Sequence, residues 1–244
     1  MSSIVAHRGQ QATFPENTLE GVQEAIRCGA RAVEFDVQMS ADHIPVVCHD
    51  VNLLRTAGID MDITQNRYAD MQTISVGEPS RFSEQYASVT LPSLQNVINQ
   101  LTDIPDVLAF VELKDESIDV FGIDNFIEPV IKQLLPIKDH CIVIADNLQA
   151  LIRLKQDAGL PVGWIIHRWD EDDFRLAKQQ HLDYLVINHK YFPEQQHDFS
   201  SDPWQWVIYE TRNPDKAVRL FEQGAAFVET DDACQLLNRL PGYK

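Results

Sequence analysis

Eight short apolar runs constrain this chain more than any other feature. They lie near Ile4–His7, Val33–Val37, Leu108–Leu113, Cys141–Ala145, Val162–Ile166, Tyr184–Ile187, Trp206–Tyr209 and Ala226–Glu229. Their apolar content is nearly continuous and does not alternate, which is the pattern of parallel strands covered on both faces. Helical patterns fill the intervals. Asn17–Cys28 places Leu19, Val22, Ala25 and Ile26 on one face and stops at Gly29. Asn213–Gln223 opens with Asn213 as cap and Pro214 in the first turn, and Gly224 follows it. Asp124–Leu135, Leu148–Gln156, Glu171–Gln180 and Asp232–Leu240 read the same way. This alternation predicts an α/β fold, and eight units in 244 residues predict a TIM (β/α)8 barrel.

One stretch breaks the rhythm. Between Val37 and Leu108 only Ser93–Leu101 reads as a convincing helix, and Ile44–Cys48 is one apolar run too many for an eight-stranded barrel. With Ser40–His43 as a turn, Ile44–Cys48 folds back antiparallel on the second strand. A turn centred between Asp42 and His43 sets Asp36 opposite His49. The stretch from about residue 50 to 90 then reads as a small insertion beside the barrel mouth, within a single domain spanning 1–244.

The formal net charge of −17, from 37 acidic and 20 basic residues, argues against nucleic acid and anionic lipid as partners. It leaves room for a small anionic substrate, because a metal and a few cations reverse the field inside one cleft. Cys28, Cys48, Cys141 and Cys234 fit no zinc or disulfide framework, so four buried free thiols in a reducing compartment are expected. Together with the lack of a signal-like or membrane-spanning apolar run, this predicts a soluble cytoplasmic protein. A homodimer is compatible with this reading.

The chemistry concentrates on strand ends. Residues i and i+2 of a strand share a face, so Glu34 and Asp36 point together while Val33, Phe35 and Val37 point away. Two carboxylates in an apolar strand repel and lose hydration, so they require a cation. The plainer alternative is ion pairing with two basic side chains. Glu112 and Lys114 repeat the arrangement on the next barrel strand. Glu34, Asp36 and Glu112 make an all-oxygen set suited to Mg²⁺ or Ca²⁺ rather than Zn²⁺. His7 and Arg8 end the first strand, at the barrel end where catalysis is built. Three carboxylates, one divalent cation, Arg8 and Lys114 leave a single positive charge, suited to one phosphodiester. His7 and His49 can divide general acid and general base between them. The remaining histidines read as structural or surface groups, with His167-Arg168 able to reach the mouth; Asn17 reads as a helix cap, with direct substrate contact as the alternative.

These residues resemble the glycerophosphodiester phosphodiesterase family. The match runs through His7-Arg8-Gly9, Pro15-Glu16-Asn17-Thr18, Glu34-Phe35-Asp36-Val37, Pro45-Val46-Val47-Cys48-His49-Asp50 with Arg55, and Glu112-Leu113-Lys114, and returns at Gly224–Asp231. The resemblance implies metal-dependent hydrolysis of a small glycerophosphodiester to sn-glycerol 3-phosphate and an alcohol. It assigns the metal to Glu34, Asp36 and Glu112, acid-base work to His7 and His49, and phosphate to Arg8 and Lys114. There are departures. His43 stands where the family has glycine, Ser93-Leu94-Gln95-Asn96 lacks the family's acidic residue, Tyr209 stands where it has tryptophan, and Glu229-Thr230 where it has a more apolar pair. Tyr209 is therefore expected to line the glycerol-facing wall and to bear on substrate preference. Rival readings are a lysophospholipid-type phosphodiesterase, a silent phosphate-ester-binding barrel, and an aldolase with a Schiff base on Lys114.

Overall fold

The computed structural model describes residues 2–192 and 197–243. Its strands are β1 (Ser3–Ala6), β2 (Ala32–Met39), β3 (Pro45–Val47), β4 (Leu108–Leu113), β5 (Cys141–Ala145), β6 (Val162–Ile166), β7 (Tyr184–Asn188), β8 (Gln205–Tyr209) and β9 (Phe227–Thr230). All neighbours pair in parallel except β3, and β1 pairs with both β9 and β2, which closes an eight-stranded TIM barrel. Two apolar layers hold it. Val5, Ala32, Phe110, Ile142, Ile144, Val186 and Phe227 fill the interior, where the Phe110 and Phe227 rings meet edge to face at 5.0 Å. A larger layer lies between sheet and helices and includes Ile4, Phe35, Val111, Val143 and Ile208. Burying each such side chain contributes roughly 1.5–3 kcal/mol, and this explains why the strand runs are apolar on both faces.

The predicted helices are present at Leu19–Arg27, Leu94–Thr102, Ile123–Leu134, Leu148–Ala158, Glu171–Gln179, Pro214–Glu222 and Ala233–Arg239. Asn213 caps its helix as expected, accepting from the Asp215 and Lys216 amides. Asn96 keeps a capping box despite lacking a charge, because its side-chain oxygen accepts from the Ser93 amide at 3.0 Å. The helix Asp115–Phe121 has no counterpart in the sequence reading. The stretch after β3 contains short helices, and Leu53, Ile63, Met71, Val89 and Leu91 pack there with Val46 of β3.

Three expectations are corrected. First, Asn17 is not the cap of the first helix: it sits at φ 56°, and Thr18 caps instead, accepting from the Gly21 amide at 3.1 Å. Second, the hairpin register is one residue off. Val37 faces Val47 and Gln38 faces Val46, so Cys48, not His49, comes opposite Asp36, and its amide donates to the Asp36 carbonyl. The loop is Ala41-Asp42-His43, closed by Ser40 N–H to Ile44 O, with His43 left-handed at φ 58°. A three-residue loop with a left-handed last residue shifts the pairing relative to a two-residue turn. Third, Cys28 and Cys234 form a disulfide that joins the end of the first helix to the start of the last, with Cα atoms 5.1 Å apart. Only Cys48 and Cys141 are free, and the thiol argument for a reducing compartment falls. Among the described residues no helix is long and apolar enough to cross a membrane.

Candidate active site

The parallel register places the acids. β2 aligns with β4 so that Asp36 is the direct partner of Glu112, and Glu34 lies two residues back on the same face as Asp36. Oxygen atoms of Glu34, Asp36 and Glu112 all lie within 4.8 Å of one another. Glu34 and Asp36 are fully buried. Burial and the neighbouring Asp36 charge push the Glu34 and Glu112 carboxyls up. Burial works against Asp36 as well, but Arg8 and Lys114 pull it down to about 2.

The cations divide between these acids. Lys114 Nζ lies 2.7 Å from Glu112 and 3.5 Å from Asp36. Arg8 Nε lies 3.2 Å from Asp36, and its Nη1 donates to Glu16 at 3.0 Å. Glu16 in turn accepts a fork from Arg55, at 2.7 and 2.8 Å. The plainer alternative, pairing with basic side chains, therefore describes part of the arrangement. It leaves Glu34 Oε1 and Asp36 Oδ1 buried without a hydrogen-bond partner. Two orphaned carboxylate oxygens converging with a third acid fit a hard divalent cation, and an all-oxygen set disfavours zinc.

The loop after β1 is shaped to reach this cluster. Gly9, at φ 80°, lies so close to the first helix that a Cβ there would sit 2.6 Å from the Gly21 backbone. The His7 amide donates to the Thr230 carbonyl, and the Arg8 amide donates to Glu34 at 2.8 Å. Asn17 makes a two-point contact with Asp36, donating from Nδ2 at 2.8 Å and accepting the Asp36 amide at 3.0 Å.

Both candidate histidines bear a carboxylate on Nδ1. His7 meets Glu210 at 2.8 Å, and His49 meets Asp50 at 2.6 Å. Burial lowers His7, but the Glu210 bond and the Glu34 charge overcome it and hold it up at about 10. His49 reaches the mouth by leaving the strand, with its carbonyl held by the Gln38 amide nitrogen at 2.9 Å.

A cavity of about 380 Å³ is lined by His7, Arg8, His49, Glu112, Lys114 and Tyr209. All eight residues singled out from the sequence therefore lie in this cavity or directly beneath it. His167 lines it too, held by Asp146 at 2.6 Å, whereas Arg168 turns away to Asp170 and Asp173. The sequence reading missed Asn17 as an Asp36 contact, and missed Glu210 and Asp146 on the wall. Glu229, noted only as a departure, also lines the cavity; burial, with Glu112 and Glu210 nearby, raises it to about 7. The charge count made from sequence left out these acids and also the positive charge of His7, which pairs with Glu210.

A model of the glycerophosphoryl diester phosphodiesterase family matches residues 7–234. A glycerophosphodiester phosphodiesterase of Bacillus altitudinis is 31% identical over 144 residues, which is 59% of this chain and 57% of that protein. One from Caldanaerobacter subterraneus is 29% identical over 155 residues, 64% of this chain and 62% of the relative. The chain thus spans about three fifths of the length of these curated relatives. A phosphodiesterase of Oleispira antarctica, solved with the product sn-glycerol-3-phosphate, superposes with a TM-score of 0.86 at 24% identity, covering 99% of this chain and 97% of that one. At that identity the likeness concerns the fold.

Proposed function

This chain belongs to the glycerophosphoryl diester phosphodiesterase family, and we propose that it hydrolyses small glycerophosphodiesters to sn-glycerol 3-phosphate and an alcohol. The observation that carries the reading is the convergence of Glu34, Asp36 and Glu112, with two orphaned carboxylate oxygens, beside two histidines and two basic side chains at one barrel mouth. The reading treats residues 1–244 as one catalytic unit, with roughly 50–90 inserted beside its mouth.

Glu34, Asp36 and Glu112 would hold the divalent cation, Mg²⁺ or Ca²⁺. When bound there, it supplies Lewis-acid polarisation of a phosphoryl oxygen and offsets the carboxylate charge. Arg8 and Lys114 orient the phosphate, the first by its fork and the second as a point charge. One of His7 and His49 takes the proton of the attacking hydroxyl, and the other returns a proton to the departing alkoxide, so the alcohol leaves neutral. Attack by water gives sn-glycerol 3-phosphate directly; attack by the substrate's own 2-hydroxyl gives a cyclic phosphate, which a water then opens to the same product. Tyr209 forms part of the wall, and burial keeps its phenol neutral.

The test is release of sn-glycerol 3-phosphate from glycerophosphocholine, with and without chelator. The expected result is turnover that chelation abolishes and added Mg²⁺ or Ca²⁺ restores. Turnover indifferent to chelation would remove the metal from the reading. Turnover retained in both His7→Ala and His49→Ala would remove the acid-base pair.

A further inference from the structure

We infer that Glu210 is the positioning residue for His7, fixing a proton on Nδ1 so that Nε2 is the nitrogen that exchanges a proton with the substrate. The inference rests on the hydrolase reading above and concerns a residue that reading does not use.

Glu210 Oε2 lies 2.8 Å from His7 Nδ1, reaching it from the residue that follows β8. An ionised carboxylate can only accept, so Nδ1 carries the hydrogen. The same hydrogen bond holds Glu210 below the usual carboxylate range. The backbone around His7 is already fixed by the His7 amide on Thr230 and the Arg8 amide on Glu34. What remains free is the ring's rotation, and Glu210 removes it.

The other nitrogen then faces the chemistry. His7 Nε2 lies 3.9 Å from Glu34 Oε2, on the side of the acidic cluster. His49 supplies an independent parallel. Its Nδ1 is bound to Asp50 at 2.6 Å, and Asp50 is itself held by Arg55 at 2.6 Å. Both histidines therefore keep Nδ1 on a carboxylate. Asp50 is the chain neighbour of its histidine, whereas Glu210 reaches across 203 residues. A side chain 42% exposed at a strand end contributes little to packing, and among the described residues its side-chain hydrogen bond is the one to His7.

The test compares Glu210→Ala, Glu210→Gln and Glu210→Asp in the full-length protein. The first should lower kcat for glycerophosphocholine by about 10- to 100-fold, the range for losing a group that orients a working histidine, with KM little changed. Glu210→Gln should fall between Glu210→Ala and wild type, because its amide oxygen still accepts while the charge is gone. Glu210→Asp should recover part of the loss. A second readout does not need turnover: histidine labelled at Nδ1 should show a downfield Nδ1–H proton for His7 in the wild type, absent in Glu210→Ala. An unchanged kcat in Glu210→Ala, or no such proton in the wild type, overturns the inference. So does failure of all three variants to fold, which would make Glu210 structural. If the wild type releases no sn-glycerol 3-phosphate, the hydrolase reading falls instead, and the proton signal alone decides the positioning.

Discussion

Asn17 holds Asp36 at two points, its amide nitrogen on Oδ2 and its amide oxygen on the Asp36 backbone amide. Both groups are buried, so neither bond competes with water. The contact orients the carboxylate while leaving Oδ1 for a cation. Asn17→Ala is expected to weaken divalent-ion affinity by about 10- to 100-fold, the usual cost of losing an outer-shell partner of a ligating group. Activity titrated against Mg²⁺ or Ca²⁺ measures it. An unchanged half-saturating concentration would mean that Asn17 only shapes the loop.

How far the site was legible depended on the range of each contact. Glu34, Asp36, Glu112 and Lys114 were readable because alternation along a strand is local, and one strand of context decides the face. Asn17 was misread because a left-handed backbone at a non-glycine residue leaves no local trace, and the adjacent Thr18 satisfies the same capping rule. The hairpin was placed one residue off because a two-residue and a three-residue turn look alike until His43 is seen at positive φ. Glu210 and Cys234 act on partners some two hundred positions away, where neither periodicity nor spacing carries information. The barrel itself was legible throughout, since eight apolar runs repeat a local pattern.

The Cys28–Cys234 disulfide closes a loop across a separation of 206 residues. Loop-closure entropy for so long a loop corresponds to about 5 kcal/mol, with measured losses for native disulfides commonly about 2–5. Cys28→Ser with Cys234→Ser should lower the urea midpoint accordingly. Burial raises the free thiols, Cys141 to about 12 and Cys48 further, so neither should react in the native state. A thiol reagent should find none native, two after denaturation, and four after reduction as well. Four in the denatured, unreduced protein would refute the pairing.

Asp50 carries the pH dependence easiest to sign. Burial raises its carboxyl, but the Arg55 and His49 hydrogen bonds bring it down to about 2 from 3.8. A folded value below the unfolded one contributes stability that is fully present above 3.8 and is lost as pH falls through about 2. Thermal midpoints of wild type should therefore drop more steeply between those values than midpoints of Asp50→Asn. Parallel curves for the two proteins would show that the ion pair is screened out by solvent.

Lys114 links the cation question to stability. Its ammonium lies between Asp36 and Glu112, and only 11% of the side chain is exposed. Removing one partner of a buried pair leaves uncompensated charge, at a cost of about 3–5 kcal/mol. Lys114→Met should therefore unfold at a lower urea concentration than wild type when chelator is present. A divalent cation held by Glu34, Asp36 and Glu112 replaces the lost charge, so Mg²⁺ or Ca²⁺ should return much of the deficit in this variant. Phosphate orientation is not returned with it, so turnover should stay low even where stability recovers. Equal destabilisation with and without the ion would show that these carboxylates do not bind it, and recovered turnover would show that Lys114 does not hold the phosphate.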